Sequence, residues 1–68
     1  MPNLIEAIQE RCNELREEYI PAYESIGPAG MFGVAMMKMG ISRAEEAIAT
    51  GDTVGMIAAL QELREFKL

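Results

Sequence analysis

The chain has 68 residues, half of them hydrophobic, with one cysteine, no histidine and a net charge of −5. A chain this short buries a modest share of its surface, so disulfides, metals or association usually reinforce it. One cysteine forms no intrachain disulfide, the lack of histidine removes the usual zinc and haem ligands, and the acidic excess argues against direct contact with nucleic-acid phosphates.

The opening, Met-Pro-Asn-Leu-Ile-Glu, lacks the basic flank and long apolar run of a secretion signal. The longest uncharged stretch, Ser25 to Met37, falls short of the ~20 apolar residues that span a bilayer. The expectation is a cytoplasmic protein with no membrane contact, in which Cys12 is a reduced core residue.

Helix 1 is predicted over about residues 4–26. Met1, Ile5, Ile8, Cys12, Leu15, Tyr19, Ala22 and Ile26 follow at alternating steps of four and three, the seam of a helix packed along another. Asn3 suits the N-cap, with Glu6 in capping-box position. Pro21 interrupts this pattern by removing a backbone donor and crowding the carbonyl of Glu17. Either the helix kinks there and continues, or it ends near Tyr19. The seam is open to use within one subunit, between subunits, or both.

Gly27-Pro28-Ala29-Gly30 is the clearest break, with Gly27 at C′ and Pro28 blocking continuation. So short a connection makes helices 1 and 2 antiparallel neighbours. Helix 2 is predicted over about 31–49, with Val34, Met37, Ile41, Ala44 and Ile48 on its inner face and Gly40, Ala44 and Ala47 allowing close approach. Thr50-Gly51-Asp52 stops that helix and caps the next. Helix 3 is predicted over about 53–65, with Val54, Ile57, Leu60 and Leu63 inward and Met56 and Phe66 at the margins. The fold class is therefore all-α: one domain built as an antiparallel helical hairpin with a short third helix, forming a homodimeric bundle. Ile5, Ile8, Cys12, Leu15, Tyr19, Met37, Ile41 and Ala44 are its core or dimer interface.

Six acidic and two basic residues lie in the first 26 positions, so the charge is concentrated on helix 1. Glu6, Glu10, Glu14 and Glu18 recur every four residues, with Glu17 beside them. Like charges at that spacing each cost a few tenths of a kcal/mol. The stripe is either a solvated face or a docking face for a cationic surface. Glu10, Glu14, Glu17, Glu18 and Tyr23 are the candidate partner-binding residues.

The methionines Met31, Met36, Met37, Met39 and Met56 read as core or as an adaptable contact surface. The Met31-Phe32 pair reads as a plug closing the bundle, or else as an exposed anchor. Gly27 to Gly33 is not a phosphate loop, because no strand precedes it and no Lys-Ser/Thr follows. With no histidine and no nucleophile–base pair, no enzyme activity, small-molecule substrate or cofactor is expected.

The segments Tyr19-Ile-Pro-Ala-Tyr-Glu-Ser-Ile-Gly-Pro-Ala-Gly-Met-Phe-Gly33 and Ala47-Ile-Ala-Thr-Gly-Asp-Thr-Val-Gly-Met-Ile-Ala-Ala-Leu60 resemble small early-region proteins of Mu-like transposable bacteriophages, among them the quorum-sensing anti-activators. The resemblance implies a small, acidic, helical homodimer in the bacterial host cytoplasm. It implies binding to a host LuxR-type transcription activator, blocking its action on DNA, and for some members binding to the ATPase of type IV pilus assembly. The motifs are turns and caps, so they bear on fold more than on partner. The other expectation is a structural or scaffold helical dimer with no regulator target.

Overall fold

A computed structural model describes residues 3–68 and contains only helices and turns among them. Met1, the first residue of the expected seam, lies outside the described residues. The order is α1 (Leu4–Glu14), a π-helical turn (Leu15–Tyr19), α2 (Ile20–Ser25), a 3₁₀ turn (Pro28–Gly30), α3 (Met31–Thr50) and α4 (Thr53–Arg64). The longest dimension is 36 Å, close to the ~33 Å that 22 helical residues would span.

Helix α1 starts where Asn3 Oδ1 accepts the Glu6 backbone N–H at 2.8 Å. Glu6 completes the cap differently from a standard capping box. Its carboxylate takes a hydrogen bond from the Asn3 side-chain amide at 3.4 Å. Pro21 neither ends the helix nor leaves it regular. The π turn just before it lets the Ile20 N–H reach the carbonyl of Leu15, and Pro21 falls in the first turn of α2, where a missing donor is tolerated. α1, the π turn and α2 thus form one continuous rod.

The extra residue in the π turn moves the inward face. Ile8, Cys12 and Leu15 are buried as the seam requires, but the next buried residue is Ile20, five positions on. Tyr19 and Tyr23 pack beside it, half-buried. Ala22 is only half-buried and Ile26 is exposed. Ile5, expected on the seam, is exposed, because the core begins at Ile8 and the half-buried Leu4 and Ala7 pack against that core instead.

Gly27 ends the rod at a φ of 87°, and Gly51 ends α3 in the left-handed region at 69°, both suited to residues without a Cβ. Asp52 then caps α4 by accepting the Gly55 N–H at 2.9 Å. On α3, Val34, Met37, Ile41, Ala44 and Ala47 are buried as the pattern predicts, with Ile48 half-buried. Gly40 lies against α4, where an added Cβ would sit 3.1 Å from Leu63 Cδ2.

On α4 the inward residues are Met56, Ala59, Leu60 and Leu63. Val54 and Ile57 point outward instead, because steps of three drift around an α-helix and place Val54 about 180° from Leu63. The Met31-Phe32 pair is not a plug either: Phe32 is 77% exposed and Met31 is exposed beside it. The inward positions at the start of α3 go to Gly30, its N-cap, and Val34.

Cross-links give the directions. Arg16 pairs with Glu45 at 3.1 Å, placing the middle of the rod beside the C-terminal half of α3. Tyr23 lies against Gly33, near the start of α3. The rod and α3 are therefore antiparallel, as expected. Arg43 pairs with Glu62, and Gly40 meets Leu63, so α4 returns antiparallel to α3 and parallel to the rod. The third helix packs against both of the others, more extensively against α3. Among the described residues, no helix is long and apolar enough to cross a membrane.

Candidate interaction surface

The seam residues Ile8, Cys12 and Leu15 face the core of a single chain. A position 180° from Ile8 on a 3.6-residue helix falls between Glu6 and Glu10. Glu6, Glu10, Glu14, Glu17 and Glu18 are all exposed. The structure thus places the predicted acids on the solvent side of the rod, each on an ordered helical backbone.

Their surroundings separate them. Glu14 is held by the Arg11 guanidinium, an ion pair one turn along α1. Glu10 borders a shallow groove between α1 and α4, lined also by Ala7, Arg11, Glu14 and Arg64. Glu17 and Glu18 lie in the π turn. The ion pairs among the described residues are Arg11–Glu14, Arg16–Glu45 and Arg43–Glu62, and none involves Glu10, Glu17 or Glu18. Glu6 is also outside them, but its carboxylate accepts from the Asn3 side-chain amide; among the described residues Glu10, Glu17 and Glu18 are the carboxylates of the stripe with neither an ion pair nor a side-chain hydrogen bond.

Arg11 is the residue that the sequence pattern did not single out. Its Nε donates to the Leu63 carbonyl in the last turn of α4 at 3.0 Å and its Nη2 to the Phe66 carbonyl, two residues past the helix, at 2.8 Å. Its guanidinium lies 4.7 Å from the centroid of the Tyr19 ring, a cation–π arrangement, and Nη1 donates to the Tyr19 hydroxyl at 3.2 Å. Burial works against its charge, but hydrogen bonds to Tyr19 and Glu14 outweigh it and raise the pKa. A cation at a helix C-terminus is favourable, yet no local spacing connects position 11 with position 63.

Tyr23, predicted as a partner contact, is occupied within the chain. Its hydroxyl donates to the Lys67 carbonyl at 2.6 Å. Its ring fills the space at Gly33, where an added Cβ would lie 2.5 Å from Cδ2. The Gly30-to-Gly33 segment is therefore a packing notch for Tyr23.

Cys12 is 3% exposed, at the floor of a groove of about 460 Å³ between α1 and α3 that Gln9, Asn13, Arg16, Glu45 and Ile48 also line. Burial is the largest influence on its thiol and raises the pKa; Arg16 lowers it and Glu45 raises it. A second groove, of about 340 Å³, runs between α3 and α4 past Arg43, Glu46, Asp52 and Glu62. Among the described residues, no group of three or more histidine, cysteine, aspartate or glutamate side chains could hold a metal ion. No protein-family model, curated protein or solved structure matches the chain.

Proposed function

We propose that this chain is a phage-encoded interaction protein that inhibits a DNA-binding regulator by laying the acidic face of its first helix over the regulator's cationic surface. The observation that carries this reading is the separation of faces on the rod: Ile8, Cys12 and Leu15 are buried, while Glu10, Glu17 and Glu18 are exposed outside the ion pairs. A surface that binds DNA is rich in Lys and Arg, and an ordered row of carboxylates competes for it by the same charge complementarity. The resemblance to the anti-activators names the partner class, a LuxR-type activator engaged near its DNA-binding domain.

The test is the affinity of the protein for the purified DNA-binding domain of such an activator, measured by titration calorimetry at low and high salt. Binding is expected to weaken steeply with salt, since exposed charges are screened within about 10 Å at 0.1 M. The triple reversal Glu10→Lys, Glu17→Lys, Glu18→Lys is expected to reduce affinity at least tenfold, about 1.4 kcal/mol, with helical circular dichroism unchanged. Glu14 is left in place because it is tied to Arg11. Wild-type affinity in the triple variant would leave the stripe a solvated face.

A further inference from the structure

The first two turns of α3, Met31 to Met37, contain only Met, Phe, Gly, Val and Ala. A helix that is apolar all round is one packed on all sides, yet this chain covers only one of them. Val34, Met37, Ile41 and Ala44 make the buried side. Phe32, Ala35, Met36 and Met39 recur at i, i+3, i+4 and i+7, the spacing of a second face. Phe32 is 77% exposed, Met39 is more than half exposed, Ala35 is exposed and Met36 is half-buried. Met31, one turn before Ala35, is exposed on the edge of the same face. Exposed apolar side chains that are contiguous rather than scattered mark an interaction site.

We infer that this face receives an amphipathic helix of another protein, one whose apolar stripe is bordered by carboxylates and which packs along α3 as a fourth member of the bundle. Charge commits the face to that occupant. Residues 25–44 hold two bases, Lys38 and Arg43, and no acid. The rest of the chain holds eleven acids against four bases, a net −7. The two bases frame the apolar ridge. Lys38 lies two turns before Glu45 on the same side of α3, and Glu45 pairs with Arg16, so Lys38 borders the ridge towards the rod. It makes no ion pair among the described residues. Arg43 follows Met39 by one turn and reaches Glu62, so it closes the ridge towards α4. Its side chain is still half exposed, and a guanidinium has five donors, enough for a second carboxylate.

Geometry agrees. Packed helices lie about 8–10 Å apart, within reach of glutamates that border the partner's stripe. Ala35 at the centre of the ridge permits that approach, and flexible methionine side chains adapt to a foreign stripe. The first acid of α3 outside the ion pairs, Glu46, is two turns past Met39, about 10 Å along the axis, so it leaves the ridge clear. A basic helix would set like charge against Lys38 and Arg43, and an anionic lipid surface would be repelled by the −7 carried elsewhere. The other uncharged run, Thr53 to Gln61, presents two large side chains, Val54 and Ile57, and has no base beside it to choose a partner.

A nuclear magnetic resonance titration of the full chain, isotopically labelled at its methionine methyls, tests the inference at low salt. The probe is a synthetic peptide of about 18 residues, long enough to be helical. It carries leucines at i, i+3, i+4 and i+7 bordered by glutamates; a counterpart carries lysines in their place. The acidic peptide is expected to shift the Met31, Met36 and Met39 methyls to saturation, with those of the buried Met37 and Met56 moving least. The lysine counterpart is expected to bind about tenfold or more weakly, read at these methyls alone because the rod's carboxylates offer it another site. Phe32→Ala is expected to raise the dissociation constant of the acidic peptide about tenfold or more, the effect of a hot-spot residue. Lys38→Glu is expected to raise it about threefold or more, and Val54→Ala to leave it unchanged, all with helical circular dichroism retained. Shifts that never saturate would overturn the inference, as would equal affinity for the two peptides or indifference to Phe32→Ala. Shifts of these methyls with protein concentration alone would overturn it in favour of a second copy of the chain. Phe32-dependent co-sedimentation with vesicles of phosphatidylglycerol and phosphatidylcholine would overturn it in favour of a membrane. Regulator binding through the rod does not enter this measurement, so the two readings fail independently.

Discussion

Arg11 shows how one side chain joins parts of the chain that sequence keeps far apart. It reaches the Leu63 and Phe66 carbonyls from α1, stacks on Tyr19 and pairs with Glu14. Hydrogen bonds made by charged groups are worth about 1.5–3 kcal/mol. Arg11→Met keeps the aliphatic stem and removes the donors, so urea unfolding is expected to show a loss of about 2 kcal/mol. For a domain of this size that is a large part of the whole stability, at roughly 0.1 kcal/mol per residue. A loss below about 0.5 kcal/mol would mean that water replaces the guanidinium at the end of α4. Cys12 supplies a pH-dependent counterpart. Burial raises its pKa, so the folded chain holds the thiol proton more firmly than the unfolded chain does. That contribution is complete below the ordinary thiol range, near pH 8.5, and is lost as pH rises towards the raised value. The urea midpoint of the wild type is expected to fall relative to that of Cys12→Ala as pH goes from about 8 to 10. Parallel curves would refute the linkage.

At the scale of elements, the π turn decides which residues of the rod are core. A regular α-helix would carry the seam from Leu15 to Tyr19, Ala22 and Ile26; the extra residue carries it to Ile20, with Tyr23 alongside. Ile20→Ala is expected to cost about 2–4 kcal/mol in thermal or urea unfolding, as for a buried large-to-small change. Ile26→Ala is expected to stay within about 0.5 kcal/mol, as for an exposed site. Equal costs would restore the uninterrupted seam. This contrast also marks what was legible. The caps at Asn3 and Asp52 and the stops at Gly27 and Gly51 were readable because their bonds close within a few residues. The inner face of α3 was readable because its apolar positions hold one helical phase over four turns. The rod beyond Leu15 was not, because the response of a helix to an internal proline depends on what its neighbours bury. On α4, two apolar stripes share Leu60 and Leu63, and spacing alone does not choose between them; in the packed fold Met56 and Ala59 are buried and Val54 and Ile57 are exposed.

At the scale of the molecule, the rod, α3 and α4 run up, down and up, and α4 is a full partner in the core. The sequence pointed to a hairpin with a short helix added, since short loops identify neighbours along the chain but not contacts between its ends. The acids were legible as a stripe, and their outward position followed from the opposite seam. The separation of Glu14 from Glu10, Glu17 and Glu18 was not, because it depends on Arg11. The charge layout has a thermodynamic consequence for the whole molecule. Four of the five net negative charges lie in the first 26 residues, on an object only 36 × 21 × 16 Å. At 0.01 M salt the screening length of about 30 Å covers the molecule, so each exposed carboxylate repels all the others. At 0.15 M it is about 8 Å, and only immediate neighbours interact. Salt also weakens the ion pairs, but Glu14, Glu45 and Glu62 are each partly exposed, and such pairs are each worth about 0–1 kcal/mol. With eleven acids against six bases, relief of repulsion outweighs the loss of attraction. At fixed protein concentration the melting temperature is therefore expected to rise by about 2–5 °C between those salt levels, since roughly 1 kcal/mol shifts so small a domain by 4–8 °C. Glu10→Gln with Glu17→Gln is expected to flatten that response by removing two unpaired charges from the stripe. A melting temperature that falls with added salt would show instead that Arg11–Glu14, Arg16–Glu45 and Arg43–Glu62 dominate the electrostatics of the fold.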